Sequence, residues 1–172
     1  MPDNSALIGD IAFRWWVSIG NGEKGVDLAI NRAAKAALRR CRVPLDVCAV
    51  PAGTRFTRDM SAAGLTDNMD RILAVPAILS HVDTNVKGMS FGVYLAHEIN
   101  GRPLISASAF QRLLQDRDDE LIDSIRRIVD KAGNRAPVSN LATAIVGWND
   151  PANVRQLTLD YFGAFKPALV NS

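Results

Sequence analysis

Cysteine is nearly absent from this 172-residue chain: only Cys41 and Cys48 occur, seven residues apart and without a CxxC pair. Neither a disulfide framework nor a tetrahedral metal site can be drawn from them, so they read as small buried apolar side chains. Long apolar runs are missing too. None approaches the ~20 residues that a bilayer crossing needs. The start, Met1-Pro2-Asp3-Asn4, lacks the positive and then apolar character of a secretion signal, which predicts a cytoplasmic protein. Charge of one sign is also scarce, with 20 Lys/Arg against 18 Asp/Glu and a formal net charge of +2. A free-standing nucleic-acid binder carries a larger excess, so any such role must come from local clustering. Splitting the chain after Val86 leaves ten basic and nine acidic residues in each half, so neither half is a basic tail.

Catalytic signatures are equally thin. His81, Asp83, His97 and Glu98 are spaced unlike any metal-binding motif such as HExxH. Asp118, Asp119 and Glu120 look like a carboxylate cluster but stand at the head of a helical pattern, where acids complement exposed N–H groups. No Ser/His/Asp or Cys/His arrangement and no glycine-rich phosphate loop can be traced. The expectation is a protein that is not an enzyme and holds no metal or cofactor.

What the sequence does contain is helical periodicity. Hydrophobic residues make up 48% and charged residues 22%, enough to build a packed core. Leu7, Ile8, Ile11, Trp15 and Ile19 line one helical face, which Asn21-Gly22 ends. Adjacent Trp15 and Trp16 cannot share that face, so one of them is expected to seal a second contact surface, and an exposed member would anchor an interface. From Val26 to Arg40, alanines at 29, 33, 34, 36 and 37 favour helix and close packing. Pro44 is suited to a first helical position, and Pro51 is expected to kink or break the segment that continues through Arg55-Phe56. Asn68 to Val82 predicts another helix, with a kink at Pro76.

Between Thr84 and Pro103, glycines at 88, 92 and 101 surround Phe91, Tyr94 and Leu95, and a short helix is favoured over a strand. The second half is clearer. Ser106 or Ser108 caps a helix with Phe110, Leu113 and Leu114. Leu121, Ile122, Ile125, Ile128 and Val129 form the apolar face of a strong amphipathic helix that Gly133 stops. Pro137 opens a helix through Trp148, and Asp150-Pro151 opens the last, with Val154, Leu157, Tyr161 and Phe162. The fold class that follows is all-α: a bundle of about eight helices and no convincing strand pair, arranged as two packed subdomains, 1–86 and 87–172.

Basic residues recur on this scaffold. Arg32, Lys35 and Arg39 lie three and four apart, opposite the alanines, and no acid occurs between Asn31 and Arg42. Arg39, Arg40 and Arg42 end a helix, where positive charge is favoured by exposed carbonyls, so a capping role and a polyanion-binding role are both open. Arg126 and Arg127 flank an apolar face with Asp123 and Asp130 at helical spacing.

Ordered blocks turn these into a resemblance. Ala36-Ala37-Leu38-Arg39-Arg40 leads into Pro44-Leu45-Asp46-Val47, then Pro51 and Arg55-Phe56. Phe110-Gln111-Arg112-Leu113-Leu114, Asp119 through Ile125-Arg126-Arg127, and Trp148 with Val154-Arg155 and Asp160-Tyr161-Phe162 follow. In order and spacing the chain resembles the CasB family, the small subunit of the type I-E CRISPR surveillance complex, Cascade.

The resemblance implies a helical, two-subdomain protein that pairs with a second copy of itself beside other Cascade subunits and the CRISPR RNA. It also implies a non-catalytic role in holding the displaced non-target strand of opened DNA, while base pairing with the guide reads sequence. Arg71, Lys87, Arg112, Arg117, Arg126, Arg127 and Arg155 correspond to the family's basic positions. Asn153, Gln156 and Thr158 stand where relatives carry further arginines, implying weaker DNA contact there. Two rival readings are a purely structural helical adaptor between protein subunits and a small hydrolase using His97 and Glu98 with a metal.

Overall fold

The computed structural model describes residues 4–20 and 28–164. They form ten helices, more than the periodicity alone counts, partly because Pro51 divides one expected segment into two. Ser5–Ser18 (α1) ends at Gly20, whose φ of +103° lies in the left-handed region. Leu28–Arg40 (α2) is followed by the single turn Pro44–Val47 (α3). There the Asp46 carboxylate accepts the Arg42 and Val43 N–H groups at 2.9 and 3.3 Å, bonds that lower its pKa. Pro51 does not kink a continuing helix. It occupies the first position of a new one, Pro51–Ala62 (α4), where a missing N–H costs nothing.

Met69–Leu79 (α5) is the axis of the molecule. Every residue from Ile72 to Ser80 is buried, and α2, α3 and α4 pack on it. A helix apolar on all sides must be enclosed, and enclosure holds it helical through Pro76 despite the lost hydrogen bond.

Thr84–Pro103 departs most from expectation. Only Phe91–Ala96 (α6) is helical, capped by the Ser90 hydroxyl. Thr84–Asn85 (β1) forms a short strand, and Glu98–Ile99 (β2) pairs antiparallel with Arg102–Pro103 (β3). Asn100 and Gly101, with φ of +53° and +75°, make the turn between β2 and β3. Such a two-residue hairpin turn requires positive φ at both positions, which Asn-Gly tolerates best.

Ser106 caps Ala107–Leu113 (α7). Asp118–Lys131 (α8) starts with its three acids and stops before Gly133 at φ +71°. Arg135–Ala136 (β4) pairs in parallel with β1, so two strand pairs of two residues each replace the expected absence of any. Val138–Val146 (α9) and Pro151–Ala164 (α10) complete the chain.

One buried apolar cluster runs from Ile8 to Tyr161 and draws on both sides of residue 86. The most extensive contact is α1 against α9. It is close enough for Ser139 Oγ to donate to the Gly9 carbonyl at 3.1 Å and Thr143 Oγ1 to the Ser5 carbonyl at 3.0 Å. Both tryptophans of α1 are buried, so neither anchors an external interface. Trp15 Nε1 donates to the Ala52 carbonyl on α4 and Trp16 Nε1 to the Val82 carbonyl past α5, each at 2.8 Å. The adjacent rings thus seal two internal surfaces, and buried indole N–H groups find acceptors at both. Leu7 is 40% exposed and leaves the face it was expected to share.

Candidate nucleic-acid interface

The C-terminal ends of α2 and α5 meet the middle of α8 at one patch. Arg39 Nε donates to the Ser80 carbonyl at 2.8 Å, placing a cation on the exposed carbonyl end of α5, where the helix dipole favours it. The same guanidinium reaches Asp83 Oδ1 through Nη2 at 3.0 Å, and Lys35 Nζ meets that oxygen at 3.3 Å. Asn134 Nδ2 donates to the other Asp83 oxygen at 3.4 Å.

A second shared carboxylate stands beside the first. Asp123 Oδ1 lies 3.3 Å from Arg42 Nη1 and 3.1 Å from Arg126 Nη2. Arg42 and Asp123 are 81 residues apart in sequence. Arg126 Nε is buried without an acceptor among the described residues.

Four cations therefore share two carboxylates, and the patch keeps positive charge after these ion pairs are formed. Arg40 and Arg127 are exposed on α2 and α8 and raise the positive charge of the surface around it. Exposed pairs of this kind are worth only about 0–1 kcal/mol. A phosphate, whose oxygens match the guanidinium fork, can exchange with such a carboxylate at little cost.

His81 registers the local field. Its pKa falls to about 4, first through burial and then through Arg39, Arg126 and Arg42, with Asp130 opposing. A folded pKa below the ordinary 6.5 means that the unfolded chain binds the proton more readily. Stability should then fall as pH drops from 6.5 toward 4. Thermal melts across that range should show a shallower loss in His81→Asn than in the natural chain, and identical slopes would contradict the assignment.

The other sequence-selected cations lie elsewhere. Arg71 is held by Asp118 at 2.9 Å with its side chain only 13% exposed; this pair ties α5 to α8. Arg117, at the head of α8, lines a groove together with Asp70 and Asp119. Arg32 is exposed on α2, Lys87 before α6, Arg112 on α7 and Arg155 on α10, all without an ion pair among the described residues. Sequence reasoning singled out every cation of the patch but set aside His81 and Asp83. Nothing in their spacing signals that the chain brings them beside α2.

Among the described residues no group of three His, Cys, Asp or Glu side chains could hold a metal. His97 instead hydrogen-bonds through Nδ1 with the Tyr94 carbonyl and stacks on the Tyr94 ring. No described helix is long and apolar enough to cross a membrane.

Comparison with known proteins bears on this geometry. Curated protein sequences yield no match. Among solved structures, one chain of the crystal structure of E. coli Cascade bound to a PAM-containing double-stranded DNA target is similar in fold. Its TM-score is 0.64 at 18% identity, covering 89% of this chain and 95% of that one. Residues 34–162 match the family described as CRISPR-associated protein Cse2, also called CasB. That span takes in the second half of α2 through most of α10, the arginine patch included, and the chain belongs to the Cse2 family.

Proposed function

We propose that this chain is the small subunit of a Cascade assembly, that it is not a catalyst, and that its α2/α5/α8 patch holds nucleic-acid backbone. The observation that carries the reading is the sharing of two carboxylates by four cations, three from the end of α2 and the turn after it and one from α8. Cations from separate helices form a surface that attracts phosphates without reading bases, and such binding weakens steeply with salt as counterions are released.

Family membership supports the partners: other Cascade subunits, a second copy of the chain, target DNA and CRISPR RNA. The similar fold in the E. coli complex with double-stranded DNA supports the placement beside an opened duplex. In this reading the patch holds the displaced non-target strand and so slows collapse of the R-loop, whose formation is energetically near balance and sensitive to backbone contacts. Lys35, Arg39, Arg40, Arg42, Arg126 and Arg127 do the holding. Arg32, Lys87, Arg112 and Arg155 supply further exposed positive charge, whereas Arg71 and Arg117 belong to a different, acidic face.

The carboxylates of the patch also favour a second reading, a helical adaptor whose arginines serve only the fold. One experiment separates the two. Dissociation of labelled target DNA from the complete assembly is timed with and without this chain, over a series of salt concentrations. The proposal expects faster release when the chain is omitted and a steep salt dependence when it is present. Equal release rates in assemblies that are otherwise intact would leave the adaptor reading standing.

A further inference from the structure

The groove where α3, α5 and α8 begin is not part of the arginine patch. Val43, Pro44 and Leu45 line it together with Asp70, Asp118, Asp119 and Arg117, around about 400 Å³. Leu45 is 76% exposed, the most exposed large hydrophobic side chain among the described residues, and Val43 is 41% exposed. Met69, adjoining Asp70 at the start of α5, is also exposed. Single exposed leucines are ordinary, but two exposed apolar side chains lining one groove, with Met69 exposed next to its Asp70, form an apolar surface suited to a contact.

Its rim is unsuited to phosphate. Arg71 is taken up by Asp118. Asp70 and Asp119 have no ion-pair partner among the described residues, leaving Arg117 as the exposed cation of the lining. Two unpaired carboxylates repel a polyanion and attract a cationic side chain. The apolar lining asks for an apolar partner beside it.

We infer that this groove seats a protein segment of another subunit, an apolar side chain against Val43 and Leu45 with an adjacent lysine or arginine reaching Asp70 and Asp119. The inference rests on the reading of the chain as one subunit of a multi-protein assembly. It divides the surface into a cationic face for nucleic acid and an acidic, apolar face for protein.

The test is reconstitution of the assembly with the full-length chain carrying Leu45→Glu or, separately, Asp70→Lys with Asp119→Lys. All three positions are exposed, so Leu45→Glu should melt like the natural chain, whereas the two lysines, which stand in the first turns of α5 and α8, should lower the melt modestly and leave the chain folded at the temperature of reconstitution. Retention in the assembly, read by size exclusion and native mass spectrometry over a dilution series, should weaken at least ten-fold in each variant. Asp70→Asn with Asp119→Asn should weaken it less and flatten its salt dependence. Full retention of both variants would overturn the inference while leaving the assembly reading intact. Failure of the natural chain itself to be retained would overturn that reading and the inference with it. If the isolated natural chain self-associates and Leu45→Glu abolishes this without loss of retention, the groove belongs to a second copy and the inference is wrong.

Discussion

Alanine at Arg42, Arg126 and Arg127 together is expected to weaken DNA retention by the assembly about 100-fold, taking roughly 1 kcal/mol for each lost charge-assisted contact. Arg39 is left in place because it also holds the Ser80 carbonyl at the end of α5. The three chosen side chains do not hold a helix end as Arg39 does; the Arg42–Asp123 pair is exposed and of little worth to stability, and the part-buried Arg126–Asp123 pair is an i,i+3 contact within one helix. A thermal melt should therefore stay close to that of the natural chain. The diagnostic quantity is the salt dependence. If each arginine meets one phosphate of the displaced strand, the slope of log K against log salt should shrink by about 2.1, since each neutralised phosphate contributes roughly 0.7 on single-stranded DNA. Unchanged affinity and slope in a well-folded variant would remove the patch from the mechanism. Arg71→Ala is the complementary control: it breaks the half-buried pair with Asp118, so it should lower stability and leave the slope unchanged.

A second large effect concerns packing. Gly92 lies in α6 where α10 crosses it, and a Cβ placed there would stand 2.6 Å from the Leu157 carbonyl oxygen, 2.7 Å from Asp160 Cβ and 3.0 Å from the Tyr161 amide nitrogen. Two of these atoms are backbone, which no side-chain rotation can move aside. The helices must separate, and with them the Tyr161 ring that stacks on Phe110 at 4.0 Å and donates its hydroxyl to the Ile105 carbonyl. Gly92→Ala should then cost about 2–3 kcal/mol, at the upper end for overpacking, and lower Tm by about 5–10 °C for a domain of this size. Gly163, on α10 itself, has nothing within 4 Å of the same position. Gly163→Ala should leave stability unchanged or raise it by up to about 1 kcal/mol through helix propensity. A loss as large as that at Gly92 would show that the close approach is not the cause.

Helix identity was legible because it is written locally. Leu121, Ile122, Ile125, Ile128 and Val129 recur at helical spacing and all are buried in α8. Ser106 and the acids from Asp118 onward announce helix starts that the structure confirms. The Thr84–Pro103 segment was harder for a physical reason. Its strands are two residues long, too short for alternation to register, and the Asn100-Gly101 turn is the one local sign of its hairpin. Trp15 and Trp16 show the converse limit: the sequence requires that they face two ways, but only the packing of α4 and α5 makes both of those faces internal.

The arginine patch sits between these cases. Runs of basic residues on α2 and α8 can be read from the chain, because helical spacing decides which side chains share a face. The carboxylates that answer the cations of α2 and the turn after it cannot, since Asp83 stands 48 and 44 residues from Lys35 and Arg39 and Asp123 stands 81 from Arg42, whereas Asp123 beside Arg126 is legible from helical spacing. Local periodicity thus sufficed for the helices, their caps and their apolar faces, each set by interactions within a turn or two. The tertiary structure alone decided that α1 lies on α9, that Asp83 answers Lys35 and Arg39 while Asp123 also answers Arg42, and that Arg117 lines an acidic groove with Arg71 held by Asp118. Those outcomes depend on how the buried faces pack together, and that is a property of the whole core rather than of any one segment.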